Sequence, residues 1–560
     1  VDQSIVAADD IKNNTLTENG FNKYRTGYDY PAAPHQGNFV NNGIINADRT
    51  WSAKLDELKK VYQYVRFEKF DAATSTLTLR NVYDFTSLNG KTLLYNVTID
   101  GKQVSNGQLT LSDIAAGSTA TVQLDAQYDA TAAEGKEVLL NVSIANPEAT
   151  TYAPADYVIA NGQFTLQQRA TSLAAVNTNN NAALKLTRSG NLTTISNDKV
   201  SLSFNNTTGL LTSWTQNGIK VVKEGTSPDY ENYRWIENDA PYGNDPYYNS
   251  DNGISSRTLS NAGVTSDGSK GTVTIKGTGS WANYVFTYTI YNNGVVDLKT
   301  QFTPQVANTG YQRAIRRLGL MMQFPGEFSN ISYYARGPLE NYTDRQTGSF
   351  LGHYTTTVSD MNEYYLRPQS MGNRQDLRNL VLADNEGNRI HVETLGQVAF
   401  STLYWSDQQL KNAYHNWELT LPQNEADRTI YTHFDYVQRG VGSGSCGPDV
   451  LTKYAVPTSG TYGYTLRFST SNSITDGINN ASQAVDDLKI THNDVAVSIS
   501  GAIAQGTTAR LYNVGGILLA QTKATAHSQL LTLPLVGQPV GSYLVVIETN
   551  GQKRVHKILK

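Results

Sequence analysis

At 560 residues the chain is too long for one hydrophobic core, and roughly 150 residues per domain implies about four units. Charged residues are only 17% and the net charge is −4 with no basic block or acidic tail, so nucleic acid and anionic membrane are excluded as natural partners. One cysteine rules out an intrachain disulfide and any CxxC metal site, and no apolar run approaches the ~18 residues of a membrane span. The 34 Tyr and 45 Gly favour short twisted strands and tight turns over helix bundles. The start, VDQSIVAADD, has no Met, basic n-region or apolar h-region. It reads as a processed chain or one cut from a longer frame rather than as a signal peptide.

In chain order, the first expected element is a helix from about Thr50, with Trp51, Leu55, Leu58, Tyr62 and Val65 on one apolar stripe and Asp56 with Lys60 as an exposed i,i+4 pair. The period then changes to two. Leu77 and Leu79 alternate with threonines, and Leu93, Tyr95, Val97 and Ile99 lead into Asp100-Gly101, a type I′ hairpin signal. These strands run to Leu166, the size of an immunoglobulin-like sandwich. An Asn-rich linker occupies 170–188, strand patterning resumes from 189 to 470, and a second polar linker covers 471–487. A last β unit has strands at Ala509–Asn513, Ile517–Ala520, Gln529–Leu533 and Ser542–Ile547 and ends on VHKILK.

Three stretches resemble known families. VDQS at 1–4 and YDYPAAPHQGNFVNNGIINADRTWSAKLDELKKVYQYVRF at 28–67 resemble the end of the catalytic barrel of glycoside hydrolase family 2 β-galactosidases. YYARGPLENYTDR at 333–345, SDMNEYYLRPQSMGNRQDLRNLVL at 359–382, FSTLYWSDQQLKNAYHNWEL at 400–419 and THFDYVQRGVGSGSCGPDVLTKY at 432–454 resemble that family's terminal supersandwich, in the same order. The tail, with ARLYNVGG, GSYLVVI and a basic end, resembles a Bacteroidota type IX sorting domain; an ordinary small sandwich is the alternative.

The resemblance implies a mainly β protein. It would comprise a remnant of a (β/α)8 barrel at 1–64, an immunoglobulin-like β-sandwich at 65–169, a galactose-mutarotase-like supersandwich at 189–470 and a small C-terminal β-sandwich at 488–560. It implies part of a retaining exo-β-galactosidase whose two catalytic glutamates lie upstream of residue 1, so that the chain alone is inactive. A non-catalytic carbohydrate-binding or structural β protein is the alternative. It further implies a galactoside substrate, a missing upstream barrel segment as partner, a homo-oligomeric parent, and a periplasmic, cell-surface or secreted location.

Barrel sites form at the C-terminal ends of strands, which puts the loop at 35–43 beside substrate. The family pattern carries sodium to the Phe39 backbone oxygen and the Asn42 side chain, oxygen donors suited to a hard cation, while magnesium in the parent would take ligands outside this chain. From the local residues alone, Asn41-Asn42-Gly43 is a turn. His35 stands near a family Asn, and Cys446 stands in a glycine-rich loop where some members place a Trp platform. Asn42, His35 and Cys446 are thus the expected substrate contacts, with a small buried loop thiol as the plainer reading of Cys446. Glu340, Asp344, Arg336 and Arg345 could be an acid/base pair but read better as ion-paired structure, and His415 reads as structural.

Overall fold

The computed structural model describes residues 4–35, 37, 43–47, 49–236, 252–305, 315–442, 450–471, 488–492, 496–513, 518–524, 528–535, 542–549 and 552–559. The chain is mainly β, as its composition and period-two patterning imply, and no described helix is long and apolar enough to cross a membrane. The backbone groups into two units. One combines Val1–Asp48, Leu173–Gln346 and Thr356–Asp476; the other combines Arg49–Ser172, Thr347–Thr355 and Gly477–Lys560.

In the second unit, strands Val65–Asp71, Thr76–Asn81 and Thr119–Gln123 form one sheet. Strands Tyr157–Gln167, Val138–Asn146, Thr92–Ile99 and Lys102–Thr110 form, in that spatial order, a four-stranded antiparallel sheet. Period-two alternation points Leu93, Val97, Leu140, Val142 and Ile144 into a shared core with Val65, Leu77 and Leu79. The hairpin is turned by Asp100 (φ 45°) and Gly101 (φ 75°), both left-handed as a type I′ turn requires.

The helix is shorter than its stripe suggested, Ala53–Val61, with Ser52 at its N-cap position. The stripe does not make a buried seam: Val65 is buried, but Tyr62 is 69% exposed. Nor do Asp56 and Lys60 pair. Asp56 accepts from Trp51 Nε1 (2.9 Å), and Lys60 donates to the Asn161 carbonyl. Glu57 accepts from the backbone amides of Thr347 and Gly348 (3.1 and 2.7 Å). The helix is thus moored by polar contacts to backbone, which a hydrophobic period cannot report.

The C-terminal strands match the expected ones within three residues: Thr508–Asn513, Leu518–Lys523, Ser528–Pro534 and Ser542–Thr549, while position 517 lies outside the described residues. Strands Lys489–His492, Ala496–Ile503 and Gln552–Leu559 add to them. Val497, Ile499, Leu511, Val545 and Ile547 fill their core.

The first unit is a large two-layer β body. One layer holds the sheet running Ile254–Val264, Lys270–Gly279, Ala282–Tyr291, Val296–Pro304, Thr465–Ser471, Arg389–Leu395, Asn379–Ala383 and Asn330–Gly337. Against it lie a five-stranded sheet spanning Lys185–Lys220 and a four-stranded sheet of Asp229–Glu231, Arg317–Pro325, Thr429–Gln438 and Ala399–Leu403. Aromatic rings stitch the layers: Trp214 meets Phe468 at 4.8 Å and Tyr288 at 6.0 Å, and Tyr230 stacks on Tyr284 at 5.5 Å. Burying each such side chain contributes roughly 1.5–3 kcal/mol.

Leu140 is fully buried at the centre of the sandwich core. Leu140→Ala is expected to cost about 2–5 kcal/mol, seen as a lower urea midpoint at unchanged slope; a midpoint within error of the parent would contradict this packing.

Candidate functional site

Three charged arrangements within the first unit carry the residues that the sequence singled out. The first surrounds Glu340. It follows the strand Asn330–Gly337 and a tight turn, and its side chain is sealed from solvent. Its carboxylate takes an ion pair from Arg345 and hydrogen bonds from the hydroxyls of Tyr365 (2.6 Å) and Tyr342 (3.2 Å) and the amide of Gly372 (2.8 Å). Burial, reinforced by Glu340, raises both tyrosines well above the usual phenol range, so they stay protonated donors. Four donors on two oxygens leave no free lone pair aimed at a ligand.

The other charges of this motif part company. Arg336 pairs with Asp376 (2.6 Å) rather than with a carboxylate of its own motif. Asp344 accepts from the backbone amides of Val441 and Gly442 (3.0 and 3.1 Å). A Cβ at Gly440 would fall 2.4 Å from Asp344 Oδ2, so only glycine lets the chain pass so close. Asp344 therefore anchors the start of the glycine-rich loop, a role that charge patterning did not reveal.

The second arrangement lies between strands Arg317–Pro325 and Thr429–Gln438. Arg317 is buried, with Nη2 3.6 Å from Asp407 Oδ2 and Nε 3.9 Å from Asp435 Oδ2. His433 sets Nε2 3.5 Å from Asp407 Oδ2 and Nδ1 3.3 Å from the Ser401 hydroxyl. Burial pushes Glu231 up to about 8 and Asp435 up to about 6, each against the pull of Arg317. Burial, helped by Arg317, holds His433 well below its usual range. One oxygen or nitrogen from each of Glu231, Asp407 and His433 lies within 4.8 Å of the others, a stereochemically plausible ligand set. The Arg317 guanidinium already supplies a positive charge there.

The third arrangement holds the N-terminal segment. Thr26 and Asp29 cap the turn Gly27–Asp29, with Asp29 Oδ2 accepting the Thr26 amide (2.7 Å). The same oxygen is 2.9 Å from His415 Nε2, while Glu418 Oε1 is 2.6 Å from His415 Nδ1. The ring stacks on Trp417 (4.4 Å), whose other neighbours are the cations of Arg25 and Lys23. Those cations pair with Asp10 (3.1 and 2.6 Å). Burial tends to raise Asp29, but hydrogen bonds from His415 and Thr26 leave it lowered overall. A void of about 10 Å³ lies beside Tyr24, Tyr364 and Asn416, room for at most one water.

His35 follows this seam, exposed, its Nδ1 accepting the Gly37 amide (3.1 Å) and its ring edge-on to Tyr28 at 5.7 Å. It is the sole expected contact residue among those described; Phe39, Asn42 and Cys446 lie outside the described residues. Asp29 and Glu418 clasp His415 from both ring nitrogens, and Asp29 stands 386 positions away and carries no local signal.

The model of the β-galactosidase small chain matches residues 196–468, and that of β-galactosidase domain 4 matches 77–167. The β-galactosidase of Priestia megaterium is 26% identical over 438 residues, 76% of this chain and 40% of that protein. The β-galactosidase of Photobacterium profundum is 29% identical over 471 residues, 79% of this chain and 43% of that protein. The chain thus spans about 40% of the length of such relatives. A galactose mutarotase-like protein from Clostridium acetobutylicum aligns over 53% of this chain and 100% of its own at a TM-score of 0.33 and 9% identity, a likeness too loose to argue from.

The buried carboxyls predict a pH response. In an unfolded chain Glu231 would titrate near 4.5; folded, it keeps its proton to about 8. The folded state binds the extra proton, so this contribution is full below 4.5 and is lost as pH rises through 8. Glu363, pushed up to about 7, acts in the same sense over a lower range. Stability should therefore fall between pH 7 and 8, and Glu231→Gln should flatten that fall. Urea midpoints across the interval check it, and an equal slope in both proteins would refute the assignment.

Proposed function

We propose that this chain, a relative of β-galactosidases corresponding to their C-terminal portion, builds the walls and accessory domains of a retaining exo-β-galactosidase and does not itself hold the two carboxyls that cleave the bond. The observation that carries the reading is the saturation of Glu340, the carboxylate of the motif most specific to the resemblance. A glycosidase needs one carboxyl poised to give a proton and another free to attack or to activate water. Glu340 is committed to four donors and Asp344 to two backbone amides, so neither is free for that work. The relatives keep more than half of their length outside the matched region, ample for a separate catalytic domain.

Within this proposal the clasp on His415 has a purpose. It fixes the segment that leads into the loop at 35–43, so that His35, Phe39 and Asn42 can be presented to a galactoside, with sodium at the Phe39 carbonyl and the Asn42 side chain. Cys446 would face the same galactoside from the loop that Asp344 anchors at its start. The small C-terminal unit, with its own core, is read as a sorting module for a periplasmic, surface-bound or secreted protein.

Hydrolysis of an aryl β-galactoside by the 560-residue chain, with sodium present, tests the reading. No turnover is expected; turnover that Glu340→Gln abolishes would place the chemistry in this chain and sink the proposal. Sodium-23 line broadening by the chain should be lost in Asn42→Ala, and broadening that survives would remove the ion from these residues. Deleting 488–560 should leave the protein inside the cells that otherwise export it, whereas an unchanged location would end the sorting reading.

A further inference from the structure

The outward face of the four-stranded sandwich sheet carries a file of carboxamides. Asn106, Asn96, Asn141 and Gln163 are cross-strand neighbours in register, one from each strand. Cross-strand pairing brings such side chains about 4.7–4.9 Å apart from strand to strand. Two links of the file are closed: Gln163 Nε2 donates to Asn141 Oδ1 (2.8 Å), and Asn141 Nδ2 donates to Asn96 Oδ1 (2.9 Å). Gln163 is also fixed at its far end, donating to the Leu351 carbonyl (2.9 Å) and accepting its amide (3.1 Å). All the donations run one way, so the file ends on the Asn96 amino group and on Asn106, which is exposed. Chained hydrogen bonds polarise one another, so the terminal N–H groups become better donors.

Beside the file, Gln108, Leu94, Ser143 and Asn161 form the next row in register. Together the rows line a groove of about 390 Å³, with Phe350 also in its lining. Among the described residues, the side chains of Asn106, Gln108 and Ser143 make no hydrogen bond within the chain. None of the residues lining the groove is charged.

This chemistry selects a ligand. The lining itself offers a phosphate, sulfate or uronate no cation, since Lys60 beside it is committed to the Asn161 carbonyl and lies over the Phe350 ring (5.4 Å), and an aliphatic ligand would strand the amides without partners. Neutral carboxamides each donate and accept, which matches a hydroxyl, and a flat ring matches the C–H face of a pyranose. We propose that this groove is a binding site for a neutral oligosaccharide. The Gln163–Asn141–Asn96 file presents donors, Asn106 and Gln108 contact hydroxyls, and Phe350 supports a sugar face. The site stands without the hydrolytic reading, because its test reads binding alone.

Calorimetric titration of the full chain with galactotetraose, cellotetraose and acidic tetragalacturonate tests it. At least one neutral tetrasaccharide should bind. Both the double variant Asn106→Ala/Gln108→Ala and Phe350→Ala should weaken that binding by about tenfold or more, equivalent to roughly 1.4 kcal/mol. Asn106 and Gln108 are exposed, so the double variant should keep the thermal midpoint of the parent and report on binding rather than folding. Tetragalacturonate should bind at least about tenfold more weakly than the neutral sugar. The proposal fails if neither neutral tetrasaccharide binds, if the double variant binds as the parent does, or if the acidic sugar is preferred.

Discussion

The large β body depends on holding charge where water cannot reach it. Arg317 lies buried between Asp407 and Asp435, with Glu231 and His433 nearby, and its side chain is enclosed by strands of the four-stranded sheet. Burying an ionised pair costs several kcal/mol of hydration per ion, and the mutual attraction returns that only with good geometry. Here the geometry is loose, 3.6 and 3.9 Å, and the cluster lowers its charge in another way: the Glu231 carboxyl keeps its proton and His433 stays neutral. Gly319 belongs to the same solution. A Cβ there would sit 2.2 Å from Asp435 Oδ1, so the strand must omit a side chain for the aspartate to fit.

Glu340 shows the opposite strategy. It is as deeply buried, yet a guanidinium, two hydroxyls and an amide complete its coordination, so no carboxylate oxygen is left without a donor. The two sites together explain how a body so rich in tyrosine folds around charge. The hydroxyls of Tyr342 and Tyr365 are buried donors, and each gives a second partner to a Glu340 oxygen already met by Gly372 or Arg345. The same saturation that makes these carboxyls good structural elements makes them poor acids and bases.

Features encoded within a few residues were readable in the sequence. The Asp100-Gly101 turn was legible because left-handed φ at two successive positions has a composition, and the strands at 76–81 and 92–99 because their core faces alternate. The short helix Asp407–Asn412 was missed although Ser406 and Gln409 form a capping box, a signal plainly present in the sequence. The helix at 53–61 was found, but its partners were misjudged, because Glu57 and Lys60 reach backbone groups that no side-chain pattern announces. Least legible of all were Asp29 with His415 and Asp344 with Val441, since each joins segments far apart in the chain through a single side chain. The ordered motifs at 333–454 pointed to the right body without showing which of their charges would meet.

The amide file follows from the same rule that made the sandwich predictable. Period-two alternation commits one face of Thr92–Ile99 to the core, and the other face is then free to carry whatever the surface needs. Ordinary outer faces carry scattered charge or threonine, and a single carboxamide there would be unremarked. Four in register across all four strands, two of the three gaps closed by hydrogen bonds, spend conformational entropy to fix side chains that solvent would otherwise satisfy. Fold stability alone gives little reason for such order, because the core beneath already specifies the register. Recognition does: a ligand that meets pre-aligned donors and acceptors loses less entropy on binding than one that must organise them.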